Sequence, residues 1–393
     1  MTDAATVLER CAALGTISEE PGRLLRRYAT PAMREANALV AGWMEAAGLS
    51  VRTDAVGNLI GRRDGARPEA LLLGSHLDTV PNAGRYDGPL GVLSAIAVAE
   101  RVGELPFSLE VIGFADEEGV RFGTSFLASS ALVGAWDPAW LTLTDADGIT
   151  LGDALRAFGG DPDGIERERR PDGSVLAYCE LHIEQGPVLE ALGEPVGLVT
   201  AIAGRSAATV RFTGMAGHAG TVPMEARHDA LAAAAELVLV AESLARGREG
   251  LVATAGVLDV EPGAANVIPG AARLVLDVRS GADAVRTAAV AALREAAESI
   301  GANRGVEVGW EETAVAAVPL ELRPLAAAAG EGVPQLPSGA GHDAMMLARM
   351  APASMLFVRC RGGISHHPDE HVEEADVAVA LDVLERSVRS LAA

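Results

Sequence analysis

Two short runs concentrate the side chains able to do chemistry. GSHLDTVPNAGRYDG at 74–88 carries His76, Asp78 and Asp87, and GFADEEGVRFG at 113–123 carries Asp116, Glu117 and Glu118. Imidazole and carboxylate without thiolate form a donor set for Zn, Mn, Co or Ni rather than for an iron–sulfur cluster or a structural zinc. Two such ions, ~3.5–4 Å apart across a bridging carboxylate, share a water that a nearby base deprotonates. The chemistry expected is hydrolysis at a pair of divalent ions.

Each run follows a strand-like apolar segment, ALLLGSH (70–76) and SLEVIGFADEE (108–118). Four apolar residues in succession, without alternation, predict a strand buried on both faces. A helix pattern spans 31–48, a hairpin is centred on Gly57-Asn58, and a helix at 91–103 begins just after Asp87-Gly-Pro. LAYCELHIEQG (176–186) returns to a strand with His182 near its end. Strands alternating with helices predict an α/β fold: a mixed, mainly parallel sheet with helices on both faces. In such sheets the site lies beyond the carboxyl ends of the strands, where these residues fall.

From about 205 the rhythm changes. Strand 208–214, helix 223–245, two strands, helix 282–301 and strand 306–312 give the order β-α-β-β-α-β, a four-stranded ferredoxin-like sheet with two helices on one face. The reading is therefore three segments: 1–204 and 315–393 form one catalytic domain, and 205–314 is inserted into it.

Composition bounds the function. The formal charge of −22 argues against nucleic-acid or anionic-membrane surfaces. All 32 basic residues are arginine, so pyridoxal Schiff bases, P-loop GK[ST] sites and Ser–Lys dyads are excluded. Cys11, Cys179 and Cys360 are scattered and odd in number, which reads as apolar core residues in a reducing compartment. With no run of ~18 apolar residues, no membrane span is expected and the cytoplasm is the default location.

Of eight histidines, His76, His182 and His366 sit at strand ends or in Gly-rich loops. His228 and His371 read as surface or capping residues, and His342 in AGHDA as a support of the site. Taken singly, each acid is more simply a solvated loop residue; several in order shift that balance.

GSHLDTV, the RYDG after it, FADEEGVRFG, ELHIEQGPVLE, GHAGTVPM, NVIPG, PSGAGHDA and GGISHHPDE together resemble the M20-type metallo-amidohydrolases of the hydantoinase/carbamoylase branch. The likeness runs in order from about residue 30 to about 385. That branch includes allantoate amidohydrolases, N-carbamoyl-L-amino-acid hydrolases and β-ureidopropionases. The resemblance implies a zinc-exopeptidase-like catalytic domain with an inserted lid and dimerisation domain, hence a homodimer. It implies two divalent ions (Zn, Mn, Co or Ni) with His76, Glu118, His182 and His366 as terminal ligands and Asp87 as the bridge. Glu117 would be the general base. Asp78 would orient the ring of His76, and neighbouring Glu117 and Glu118, in extended chain, would point opposite ways.

His218, Asn266 and Arg279 would contact a small anionic ureido substrate, part of the set coming from the partner subunit. Gln185, Gly362 and Gly363 would complete the contacts. In the resembling peptidases a carboxylate usually takes the place of His182, so this histidine points to ureido cleavage. Allantoate-type members tend to carry a Gln and a further basic residue just after the glycine that opens the lid; here the stretch reads Gly204-Arg205-Ser206-Ala207. The order of expectation is allantoate, then an N-carbamoyl-L-amino acid, then β-ureidopropionate or an aminoacylase or dipeptidase substrate. A non-catalytic relative on the same scaffold has no use for Glu117.

Overall fold

Contiguous apolar sequence becomes buried strand, as the absence of alternation requires. A computed structural model describes residues 2–392 and divides them into two compact units. The first comprises the chain up to Thr200, Leu320–Leu336 and everything from Gly341 on; the second comprises Ala201–Pro319 with Pro337–Ala340.

In the first unit the strands lie in the order Ser50–Thr53, Leu59–Arg63, Phe107–Phe114, Arg67–His76, Val175–Ile183, Ala353–Val358 and Val196–Ile202. The four in the middle pair in parallel, and the flanking pairs are antiparallel. The central four therefore present their carboxyl ends at one edge. Helix Pro89–Val102 packs on three of these strands and is buried along nearly its whole length. That explains its apolar sequence, PLGVLSAIAVAERV, which lacks a polar face. Helices Ala4–Leu14 and Glu374–Ala392 pack against it.

Helix Pro89–Val102 starts abruptly. Gly88 has φ +80°, and a Cβ there would lie 2.5 Å from the His76 ring, so only glycine lets the chain turn into the helix so close to the imidazole. Pro89 then occupies the first helical position, where its missing N–H costs nothing.

The second unit has four antiparallel strands in the order Glu307–Val315, Gly204–Thr213, Ala271–Ser280 and Leu251–Glu261. Burial alternates along the two central strands, and helices Ala230–Arg246 and Asp283–Arg304 close the buried side over Val210, Phe212, Leu237, Leu274, Leu276 and Leu293. One expectation is corrected here. The helix predicted from 223 begins at Ala230, after a short turn at Met224–Ala226. Asp229 caps it by accepting from Ala232 N, and Met215 N and Ala230 N bind His228 O and Pro269 O, which commits these residues to other contacts. Among the described residues no helix is long and apolar enough to cross a membrane.

Candidate active site

The carboxyl edge of the four parallel strands gathers the chemistry. His76 is the last residue of Arg67–His76, His182 the penultimate residue of Val175–Ile183, and 116–118 follow Phe107–Phe114 directly. Ser365 and His366 lie on the loop after Ala353–Val358. Glu117 and Glu118 are not in extended chain: their strand ends at Phe114, so strand pleating does not separate them. Their direction comes instead from Asp78, whose Oδ1 and Oδ2 accept from Glu117 N at 3.0 Å and Glu118 N at 3.1 Å. The His76 Nδ1–H donates to the backbone carbonyl of Asp78 at 3.0 Å, with the Asp78 carboxylate slightly further off at 3.4 Å. Asp78 thus meets the ring through its carbonyl with its carboxylate close by, and holds the next loop through that carboxylate.

Asp87 lies at the centre. Its Oδ1 is 3.1 Å from His182 Nε2 and 3.6 Å from His76 Nε2, and its Oδ2 is 3.1 Å from His366 Nε2. Glu118 Oε1 is 3.5 Å from His366 Nε2. Among the described residues two triads share Asp87: His76–Asp87–His182 and Asp87–Glu118–His366, each with ligand atoms within 4.8 Å of one another. His76–Glu117–Glu118 and Glu180–His182–His342 satisfy the same distance.

Hydrogen bonding tests whether these groups suit a metal. His76 and His182 each have Nδ1 against a backbone carbonyl, Asp78 O at 3.0 Å and Ile183 O at 2.9 Å. Each Nδ1 must then carry a proton, so in the neutral ring it is Nε2 that keeps the lone pair. Those nitrogens are 3.5 Å apart and face a carboxylate oxygen. Acceptors converging on acceptors repel unless a ring proton or a metal ion lies among them, and burial enlarges the penalty. The donor set fits divalent ions: two carboxylates and three neutral imidazoles leave a positive balance against two dications.

Electrostatics agree. Burial pushes Asp87 up, but hydrogen bonds from His182, His366 and His76 outweigh it and hold the carboxyl well below its usual range. Burial raises Glu118 to about 7, with Asp87 adding to the effect. Burial also drives Glu117 well above the ordinary range, opposed by His76. A carboxyl so placed holds a proton readily once it has taken one.

Other expected residues fall as follows. Gln185 Nε2 donates to Asp87 Oδ2 at 3.0 Å and Ser365 Oγ at 3.1 Å. Gln185 and His366 have φ of +57° and +55°, a conformation that non-glycine residues keep only where surroundings enforce it. Gly362 and Gly363 are also left-handed, and a Cβ on Gly363 would lie 2.6 Å from the Gly186 backbone. His342 is buried edge-on against the His182 ring, centroids 4.5 Å apart. His218, Asn266 and Arg279 belong to the second unit. His218 pairs with Val267 in a two-residue ribbon, and Asn266 O accepts from Ala219 N. Arg279 binds Asp277 at 2.7 and 3.1 Å and Gly339 O at 2.7 Å, while Arg205, directly across the strands, holds the other side of Asp277 at 2.6 Å.

Sequence reasoning missed Ser365, Glu370 and Glu180. Glu180, two residues before His182, accepts from Ser75 Oγ, Tyr178 Oη and Ala344 N. Glu370 accepts from Tyr86 N and Asp87 N, and its Oε2 lies 3.1 Å from Ser365 Oγ. For both, the available signal was position within a run that already held a histidine ligand candidate.

A profile of peptidase family M20/M25/M40 matches residues 72–390. The chain belongs to this family. It is a metal-dependent hydrolase of linear, non-peptide C–N amide bonds. The N-carbamoyl-L-amino acid amidohydrolase of Geobacillus stearothermophilus is 42% identical, over 98% of this M20 chain and 97% of its own length. The allantoate deiminase of Arabidopsis thaliana is 41% identical over 95% of this chain and 79% of its own. Among solved structures, a hydantoinase/carbamoylase family amidase from Burkholderia multivorans superposes with a TM-score of 0.93 at 33% identity, covering 99% and 98% of the two chains.

Proposed function

We propose that the chain cleaves the ureido C–N bond of an N-carbamoyl carboxylic acid at two divalent ions, Zn, Mn, Co or Ni, releasing ammonia and carbon dioxide. The observation that carries this reading is Asp87, whose two oxygens face two separate donor groups. His76 and His182 would hold one ion with Asp87; Glu118 and His366 would hold the other. Bound there, the ions supply an acidified water and charge stabilisation.

The remaining roles fall to side chains. Glu117, raised by burial, takes the proton of the attacking water and returns it to the leaving nitrogen. Asp78 fixes the loop that aims Glu117. Arg279 grips the substrate carboxylate through its planar guanidinium, and His218 and Asn266 bind the developing oxyanion. Gln185 hydrogen-bonds the ureido group, and Gly362 and Gly363 let the backbone approach the substrate. The ferredoxin-like second unit is assigned as lid and dimerisation domain. Its edge strand Leu251–Glu261 exposes Val252, Val257 and Leu258, an edge that a second copy would cover. Sedimentation is expected to show a dimer; a fully active monomer contradicts the assignment.

Allantoate is the first substrate to test, because MLFVRCRGGISHHPDE is most like the allantoate-type members. An N-carbamoyl-L-amino acid is the second reading, favoured by Ala207 where a further basic residue is expected. Ammonia release from metal-loaded protein across allantoate, N-carbamoyl-L-amino acids, N-carbamoyl-β-alanine and an N-acetyl amino acid decides between them. Turnover confined to the N-acetyl compound refutes ureido cleavage. Arg279→Ala is expected to raise KM for the anionic substrate by about 100-fold, the loss of a charge-assisted bidentate contact. An equal effect on a neutral amide would show that the guanidinium does not read the carboxylate.

A further inference from the structure

Glu370 is 4% exposed, yet it forms no ion pair with any arginine or histidine among the described residues. All of its hydrogen bonds go toward Asp87. Oε1 accepts from Tyr86 N at 2.7 Å and Asp87 N at 3.1 Å, and Oε2 lies 3.1 Å from Ser365 Oγ. Ser365 Oγ in turn is 3.2 Å from Asp87 Oδ2 and accepts from Gln185 Nε2. The loop that carries Asp87 is fitted to this carboxyl: a Cβ on Gly84 would lie 2.3 Å from Glu370 Cβ. A lone buried carboxyl is costly, so its location calls for a reason, and these bonds supply one.

From this geometry we infer that Glu370, acting through Ser365, is the positioning residue that locks the Asp87 carboxylate and the His366 loop into one frame. Oδ2 of Asp87 is the oxygen that faces His366, and Ser365 immediately precedes His366. One carboxyl thus sets both the backbone beneath Asp87 and the hydroxyl that fixes its Oδ2, across 283 residues of sequence. The consequence is selective. The His76–His182 side of Asp87 has its own anchors in the Asp78 and Ile183 carbonyls, and Glu118 is held by the Asp78 carboxylate, whereas the His366 loop depends on this frame. The inference rests on the two-ion reading above.

The hydrogen-bond frame, rather than the charge, is what matters. A glutamine at 370 keeps an oxygen for the two N–H groups and offers an amide N–H to Ser365 Oγ, which leaves the single serine hydrogen for Asp87. Glu370→Ala removes all three contacts.

The test is calorimetric titration of metal-free full-length protein with Mn2+ alone, beside steady-state kinetics. Wild type is expected to take two ions. Glu370→Gln is expected to take two with each Kd within about 3-fold and kcat within about 3-fold of wild type. Glu370→Ala is expected to keep the first Kd within about 3-fold while the second rises by about 10- to 100-fold, the range of such outer contacts. Unchanged binding of both ions by Glu370→Ala overturns the role of Glu370, as does Glu370→Gln weakened as much as Glu370→Ala. If Glu370→Ala does not fold, Ser365→Ala carries the test: a second Kd raised about 3- to 10-fold supports the frame, and two unchanged constants overturn it. A wild-type chain that binds fewer than two ions refutes the two-ion reading itself and this inference with it.

Discussion

Glu117→Gln is expected to lower kcat by about 1,000- to 10,000-fold, the upper part of the range for general acid–base catalysis, with KM changed only a few-fold and two ions still bound. The substitution keeps the shape of the side chain and removes its ability to take a proton. The Asp78 contact that aims the loop uses the backbone N–H of Glu117, so it survives the change. The split between kcat and metal content separates a base from a ligand. Glu118→Gln, by contrast, alters a member of the Asp87–Glu118–His366 triad and is expected to weaken an ion as well. A loss under about 10-fold in Glu117→Gln, with saturating metal, removes Glu117 from the proton-transfer role.

Asp87→Asn is expected to abolish measurable turnover, a fall of at least about 10,000-fold, and to reduce bound metal from two ions to at most one. Asparagine is close in size, so packing against Gly88 and His76 is preserved. It offers one acceptor oxygen in place of two, and its amide N–H₂ has no lone pair for a cation. In the native chain each oxygen of Asp87 faces a different imidazole group. One of those groups must then lose its share of the bridge. Elemental analysis after gel filtration, with calorimetry for the constants, checks this. Two ions bound with native affinity would show that Asp87 does not bridge.

The parts of this site that were legible in sequence share a physical cause. The apolar run at 71–73 can only be a strand buried on both faces, and such a strand must end where His76 becomes polar. Gly88 and Pro89 mark the turn into the next helix and so place Asp87 beside that histidine. Four parallel strands then bring His76, Glu118, His182 and the His366 loop to one edge without any further instruction. The illegible parts depend on partners distant in the chain. Glu370 looks like one more solvated acid in HHPDEHVEE, and only the fold reveals that it lies beneath Tyr86 and Asp87. Asp78 was expected to orient the His76 ring; its backbone carbonyl meets the ring at 3.0 Å beside its carboxylate at 3.4 Å, and that carboxylate also holds the backbone of Glu117 and Glu118. Helix onset at Ala230 was hidden for a similar reason: the residues before it read as helical, yet they are drawn into contacts with Met215 and Pro269.

The central claim is that Asp87 joins two cation sites at the carboxyl edge of the parallel sheet. An anomalous difference map at the zinc edge, from crystals of zinc-loaded protein, tests it most directly. The expected result is two peaks about 3.5–4 Å apart on either side of the Asp87 carboxylate, one beside His76 and His182, the other beside Glu118 and His366. A single peak, or two peaks that do not share Asp87, would contradict the account.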